Sequence, residues 1–204
     1  VKIKVCGINY KNQLRQLLLS KIDMIGLNFY SKSKRYVIDD SLADIDTSGL
    51  EIVGVFVDES VDKIKRIHDS YQFSYIQCHG HESVDKCKKI QDIQKIIKVF
   101  SISDEKDLAE TQRFEFADYF LFDTKTKDYG GSGQKFDWNI LHNYNGDVPF
   151  LIAGGIGPVD IDSIKQISHP QFAGVDINSK FEIRAGFKDL SLVERFTKKL
   201  KNNI

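Results

Sequence analysis

Short, continuous apolar runs recur along the chain, and most are followed by a segment whose apolar positions fall at helical spacing. The clearest run is IVGVFV at 52–57; others lie at 2–6, 24–29, 75–77, 95–101, 119–122, 150–153 and 172–177. Helical spacing predicts helices over 13–21, 61–71, 83–90, 105–113, 138–144, 159–167 and 192–201, with only a short, weak helix at 39–46. Leu14, Leu17 and Leu18 mark the first of these, and Val61, Ile64 and Ile67 share one face of another. Runs that are apolar without alternation belong to strands buried on both faces. Regular strand–helix alternation implies parallel strands joined by right-handed crossovers. Eight such units predict a (β/α)8 TIM barrel, one compact domain over residues 1–204, close to the lower limit of about 200 residues for that architecture. An open doubly wound sheet would carry a G-x-G-x-x-G turn after its first strand. The turn here is Cys6-Gly7-Ile8-Asn9, which lacks it.

Composition narrows the functional classes. Of the 204 residues, 41% are hydrophobic and 28% charged, enough for a sizeable core under a soluble surface. Lys+Arg and Asp+Glu both number 29, so the chain carries no net charge. That argues against nucleic acid or an anionic membrane as a partner, while leaving room for a local basic pocket. No apolar run approaches the roughly 20 residues of a membrane span. The opening VKIKVCGINY is too polar for a signal peptide. Three cysteines, Cys6, Cys78 and Cys87, without C-x-x-C spacing suggest a reducing compartment and no disulfide framework. A cytoplasmic location is expected.

In a barrel of parallel strands, chemistry gathers at the C-terminal strand ends. The sixth strand ends at Asp123, followed by a polar loop with Gly130, Gly131 and Gly133, and then Phe136-Asp137-Trp138, where Asp137 is placed to cap a helix. A carboxylate at a buried strand tip, next to a hinged loop, suits acid–base work under a lid. It equally suits a solvated surface loop, and the segment alone does not choose. Cys6 ends the first strand. Most lone cysteines are inert packing residues, and a useful thiol base needs a positive field nearby, which Lys4, Arg35 or backbone dipoles could supply. Ala153-Gly154-Gly155-Ile156 follows the seventh strand and Asp176-Ile177-Asn178-Ser179 the eighth. These loops are where this architecture binds phosphate, through backbone N–H groups that glycine lets come close. Arg35 closes the basic run Lys32, Lys34, Arg35, usually a solvated loop but also a side chain fit to grip a carboxylate with two bonds. His79 and His81 resemble a metal pair, yet no third ligand stands at a convincing spacing. Structural or solvated histidines are expected there, Cys78 and Cys87 are read as packing residues, and no metal is expected.

Taken together, these motifs resemble the phosphoribosylanthranilate isomerase family of tryptophan biosynthesis. The likeness runs nearly end to end: KVCGI at 4–8, IGLNFYSKSKRYV at 25–37, VGVFVDE at 53–59 and QCHG at 77–80. It continues through LFDT at 121–124, GGSGQKFDW at 130–138, LIAGGI at 151–156 and GVDINSKFE at 174–182. The resemblance implies a (β/α)8 barrel that performs an Amadori rearrangement of a phosphosugar joined to anthranilate. It implies Cys6 as general base, Asp123 as general acid and Arg35 as the anthranilate carboxylate clamp. Gly154, Gly155, Asp176, Asn178 and Ser179 would form the phosphate end, and Gly130–Gly133 would hinge a lid. It implies no cofactor, because the substrate nitrogen serves as electron sink. A small-molecule substrate and a monomer or weak homodimer are expected.

Three departures from the family pattern stand out: Ala185-Gly186 where Pro-Gly is usual, Asn178 where serine is common, and the weak second helix. Two rival readings remain. Another phosphosugar barrel enzyme would want paired carboxylates with a metal, or lysines at the strand ends. A catalytically silent phosphate-ligand binder would be expected to lack the acid or the base.

Overall fold

The computed structural model describes residues 1–38, 40–47, 49–125 and 135–202. Eight strands occupy the predicted runs: β1 (Lys2–Cys6), β2 (Met24–Asn28), β3 (Glu51–Phe56), β4 (Tyr75–Cys78), β5 (Ile96–Ile102), β6 (Tyr119–Thr124), β7 (Phe150–Ile152) and β8 (Phe172–Ile177). All pair in parallel in chain order, and β1 also pairs with β8, so the sheet closes into a barrel. The register at closure sets Lys4 opposite Asp176.

The closed sheet explains the unbroken apolar runs. Alternate residues of each strand face the axis or the helical shell. Met24, Val53, Val55, Ile97, Leu121 and Leu151 fill the inside. Ile3, Val5, Ile25, Ile52, Ile76 and Phe122 pack the outside against the helices. The inward set on β1 is Lys2, Lys4 and Cys6, and on β6 it is Tyr119, Leu121 and Asp123. At the N-terminal end Lys2 pairs with Glu51 at 2.8 Å and lies over the Tyr119 ring. Both β1 and β6 thus carry a polar group at the floor and another at the mouth.

The helical shell is α1 (Lys11–Leu17), α2 (Val61–Tyr71), α3 (Val84–Gln91), α4 (Ile161–Lys165) and α5 (Leu190–Lys201). Caps fix three of these starts: Ser60, Ser83 and Asp189 accept from backbone N–H groups one turn on, each worth about 1 kcal/mol. The weak second helix is a 3-10 turn, Asp40–Asp44. Two stronger expectations also resolve as 3-10 helix, Glu105–Phe114 and Trp138–Asn143. In the first, the buried residues are Leu108, Thr111 and Phe114, spaced by three. Three residues per turn stacks that set on one line, which a 3.6-residue helix does not. Thr111 Oγ1 also donates to Leu108 O at 2.6 Å, tightening the turn. Asp137 caps the second as predicted, accepting from Asn139 N at 3.0 Å.

An element absent from the sequence reading follows β8. A 3-10 turn, Ser179–Phe181, leads into an antiparallel hairpin of β9 (Glu182–Arg184) and β10 (Phe187–Lys188). Gly186, at φ +77°, makes its turn. The Ala185-Gly186 departure therefore sits at a hairpin tip. The Gly130, Gly131 and Gly133 lid expected from the sequence lies outside the described residues. Among those described, no helix is long and apolar enough to cross a membrane.

Candidate active site

Parallel strands bring their C-terminal ends to one mouth. Cys6 is the last residue of β1 and is 6% exposed. Gly26 sits beside it on β2, where a Cβ would come within 2.7 Å of the Cys6 sulfur. Only a residue without a side chain leaves the thiol its place.

Beneath the thiol lies an ion pair. Lys4 Nζ donates to Asp176 Oδ2 at 2.8 Å, with the two side chains 0% and 7% exposed. A buried pair of this kind holds because each charge answers the other, and removing one would cost several kcal/mol, about 3–5. Burial alone would lower the Lys4 pKa. The Asp176 charge and the Cys6 sulfur more than offset that, so its pKa lies above the ordinary value. Burial raises the Asp176 carboxyl, and Lys4 only partly offsets it, while Asp123 nearby adds repulsion. Asp176 Oδ1 has no hydrogen-bond partner among the described residues. The thiol of Cys6 is likewise raised, first by burial and then by Asp176, against the pull of Lys4 and Lys188.

Asp123 projects from β6 into the same mouth. Its Oδ1 accepts from Thr124 N at 2.7 Å. Its Oδ2 stands 3.6 Å from His79 Nε2, too long for a hydrogen bond but close enough for charge to be felt. Gln77 Nε2 lies 2.7 Å from His79 Nδ1. The sequence predicts a structural or solvated histidine at position 79, and its ring stands beside the strand-tip carboxylate.

The turn after β7 packs on that carboxylate. Gly154 and Gly155 have φ of +85° and +64°, conformations that favour glycine. A Cβ on Gly154 would sit 2.8 Å from Asp123 Oδ1 and closer still to Thr124 Oγ1. Lys135, where the described chain resumes after β6, pairs with Asp160 behind this turn. Ser179 follows β8 and opens the 3-10 turn. Gly154, Gly155 and Ser179 therefore lie at neighbouring strand ends, partly exposed. Asp176 and Asn178 are engaged elsewhere: Asp176 with Lys4, and Asn178 Oδ1 accepting from Lys188 Nζ at 2.6 Å.

Arg35 reaches over Gly7, its Cδ 2.6 Å from where a Cβ on that glycine would stand. Its guanidinium forks onto Glu182, Nε to Oε1 at 2.9 Å and Nη2 to Oε2 at 2.7 Å.

The sequence matches the protein family described as N-(5'phosphoribosyl)anthranilate (PRA) isomerase over residues 3–199. The chain belongs to that family. The N-(5'-phosphoribosyl)anthranilate isomerase of Parabacteroides distasonis is 39% identical over 204 residues, covering 97% of this chain and 92% of that one. The crystal structure of phosphoribosyl anthranilate isomerase from Thermotoga maritima superposes with a TM-score of 0.86 at 31% identity, covering 98% of each chain. A phosphoribosyl anthranilate isomerase in complex with reduced 1-(o-carboxyphenylamino)-1-deoxyribulose 5-phosphate gives a TM-score of 0.83 at 28% identity, again over 98% of each chain.

Within this isomerase-family mouth, sequence reasoning missed Lys188 and Glu182, and it did not pair Lys4 with Asp176. One signal was available. In KIKVC the alternation that turns Cys6 inward turns Lys4 inward too, and a lysine inside a barrel needs a carboxylate. The partners of Arg35 lie about 150 residues away on a hairpin with little apolar content, and no local pattern announces them.

Proposed function

We propose that this chain catalyses the Amadori rearrangement of N-(5'-phosphoribosyl)anthranilate to 1-(2-carboxyphenylamino)-1-deoxyribulose 5-phosphate in tryptophan biosynthesis. Cys6 acts as general base and Asp123 as general acid. One observation supports this above the others: Cys6 and Asp123 share the inward register and the same end of one closed barrel.

Asp123 gives its proton to the furanose ring oxygen as the bond from that oxygen to C1 breaks. The nitrogen lone pair fills in, leaving an iminium at C1. That positive charge acidifies the hydrogen on C2, and the Cys6 thiolate removes it. The electron pair left behind forms an enolamine, which takes a proton at C1 as its C2 hydroxyl gives one up, and so becomes the C2 ketone. The substrate nitrogen gives its lone pair at ring opening and takes a pair back when C2 is deprotonated, so the route calls for no redox group. General acid and base assistance are each commonly worth about 10² to 10⁴-fold.

The phosphate end of this reading rests on backbone N–H groups at Gly154, Gly155 and Ser179, since glycine turns let an anion approach the main chain. Asp176 is an anion itself and would repel a phosphate. Its place against Lys4 and near the Cys6 sulfur ties it to the base. Arg35 holds the anthranilate carboxylate. Arg35→Ala should raise KM by about tenfold or more with a smaller loss in kcat; an unchanged KM in steady-state assays would remove the clamp.

The test is a fluorescence assay that follows loss of phosphoribosylanthranilate. Catalysed loss with formation of the aminoketose supports the proposal. A purified, folded chain that adds nothing to the uncatalysed rate would overturn it and favour a silent binder.

A further inference from the structure

Glu182, which the reaction scheme does not use, stands at the centre of a buried charge cluster. Its side chain is 4% exposed. Three donors converge on Oε1: Arg35 Nε at 2.9 Å, Lys188 Nζ at 2.6 Å and Gly186 N at 3.0 Å. Oε2 accepts from Arg35 Nη2 at 2.7 Å. Lys188 is itself wholly buried and gives a further hydrogen bond to Asn178 Oδ1. Its backbone is tied to the Gln13 side chain in α1 by bonds of 2.8 and 3.0 Å. Through Lys188, Glu182 is tied to α1 as well as to the Arg35 side chain at the mouth.

The arrangement has two consequences. The first is geometric. A guanidinium offers two edges that can each receive a carboxylate in parallel hydrogen bonds. Glu182 takes the Nε/Nη2 edge of Arg35. Among the described residues nothing else engages the group, which leaves the Nη1/Nη2 edge open. The second is electrostatic. Arg35 and Lys188 together carry two positive charges against the single negative charge of Glu182. The cluster therefore sets two basic groups against one carboxylate near Cys6, although burial lowers the Lys188 pKa. A purely structural ion pair has no need of that surplus.

We propose that Glu182 is a positioning residue for substrate specificity: it fixes one edge of Arg35 so that the other meets a carboxylate on the substrate's aromatic ring, while Lys188 keeps Glu182 from cancelling the arginine. This rests on Arg35 being the carboxylate clamp. Glu182 does not touch substrate. It acts by holding Arg35, whose long side chain would otherwise sample many rotamers before binding.

The test compares two substrates, phosphoribosylanthranilate and its carboxylate-free counterpart, the phosphoribosyl derivative of aniline. With Glu182→Gln, KM for the carboxylate-bearing substrate should rise at least about tenfold, the scale of a hydrogen bond to a charged group. KM for the aniline compound should stay within about twofold, and kcat for both should be close to wild type, since no reacting atom is touched. Activity on the aniline compound doubles as the check that the variant is folded. Should Glu182→Gln fail to fold, Glu182→Asp keeps the charge but cannot reach the same edge, and is read in the same way. Equal KM increases for both substrates, or no increase for either, would overturn the inference. So would a fall in KM, which would mean that Glu182 competes with substrate for Arg35. Arg35→Ala separates the two levels. If Arg35→Ala fails to distinguish the substrates, the clamp itself is wrong. If Arg35→Ala distinguishes them and the Glu182 variants do not, only the positioning role falls.

Discussion

Cys6→Ser should lower turnover at least about a hundredfold while the chain stays folded. The serine oxygen fits the space left by Gly26, and its hydroxyl finds polar company in Lys4 and Asp176. The fold therefore has no reason to give way. The chemistry does. A hydroxyl is deprotonated far less readily than a thiol, and Lys4 and Lys188 cannot make up that difference. Even the native thiol sits above its ordinary range because burial and Asp176 oppose the thiolate. Steady-state kinetics with a thermal melt decide the matter. A serine variant that turns over near the native rate would remove Cys6 from the base role.

Asp123→Asn should cost at least about a hundredfold by a different route. The amide has the same shape, and its Oδ1 can keep the hydrogen bond from Thr124 N seen at 2.7 Å. The turn at Gly154, packed on the same oxygen, is undisturbed. What is lost is a proton that can be given to the ring oxygen as it leaves. An amide can polarise that oxygen but cannot protonate it, so ring opening slows and kcat falls with it. If instead the variant stays near full speed, the acid must come from another group in the mouth. Among the described residues, His79 and Asp176 are near enough to Asp123 for charge to be felt.

The barrel was readable because both faces of each strand are buried. That produces unbroken apolar runs, and β8 spans the residues expected, 172–177. Helix type was less readable. Positions 108, 111 and 114 satisfy both a loose helical pattern and the three-residue period, and burial of all three selects the latter. The candidate base and acid were legible as polar residues ending apolar runs. Their surroundings were not. Lys4 meets Asp176 only because the first and last strands close the sheet, a contact across 172 positions. Arg35 meets Glu182 only because a hairpin folds back over the mouth, and its five strand residues are too few and too polar to announce themselves. Charge partners brought together by topology leave no periodic trace.

The base assignment is tested most directly by titrating one sulfur in two ways. In a Cys78→Ala, Cys87→Ala background only Cys6 remains, and its thiolate can be followed by ultraviolet absorbance as pH rises. The rising limb of kcat/KM against pH, measured on the same protein, should share that midpoint, and both should lie above the ordinary thiol range because burial opposes the charge. A rate that stays flat while the Cys6 thiol ionises would contradict the account.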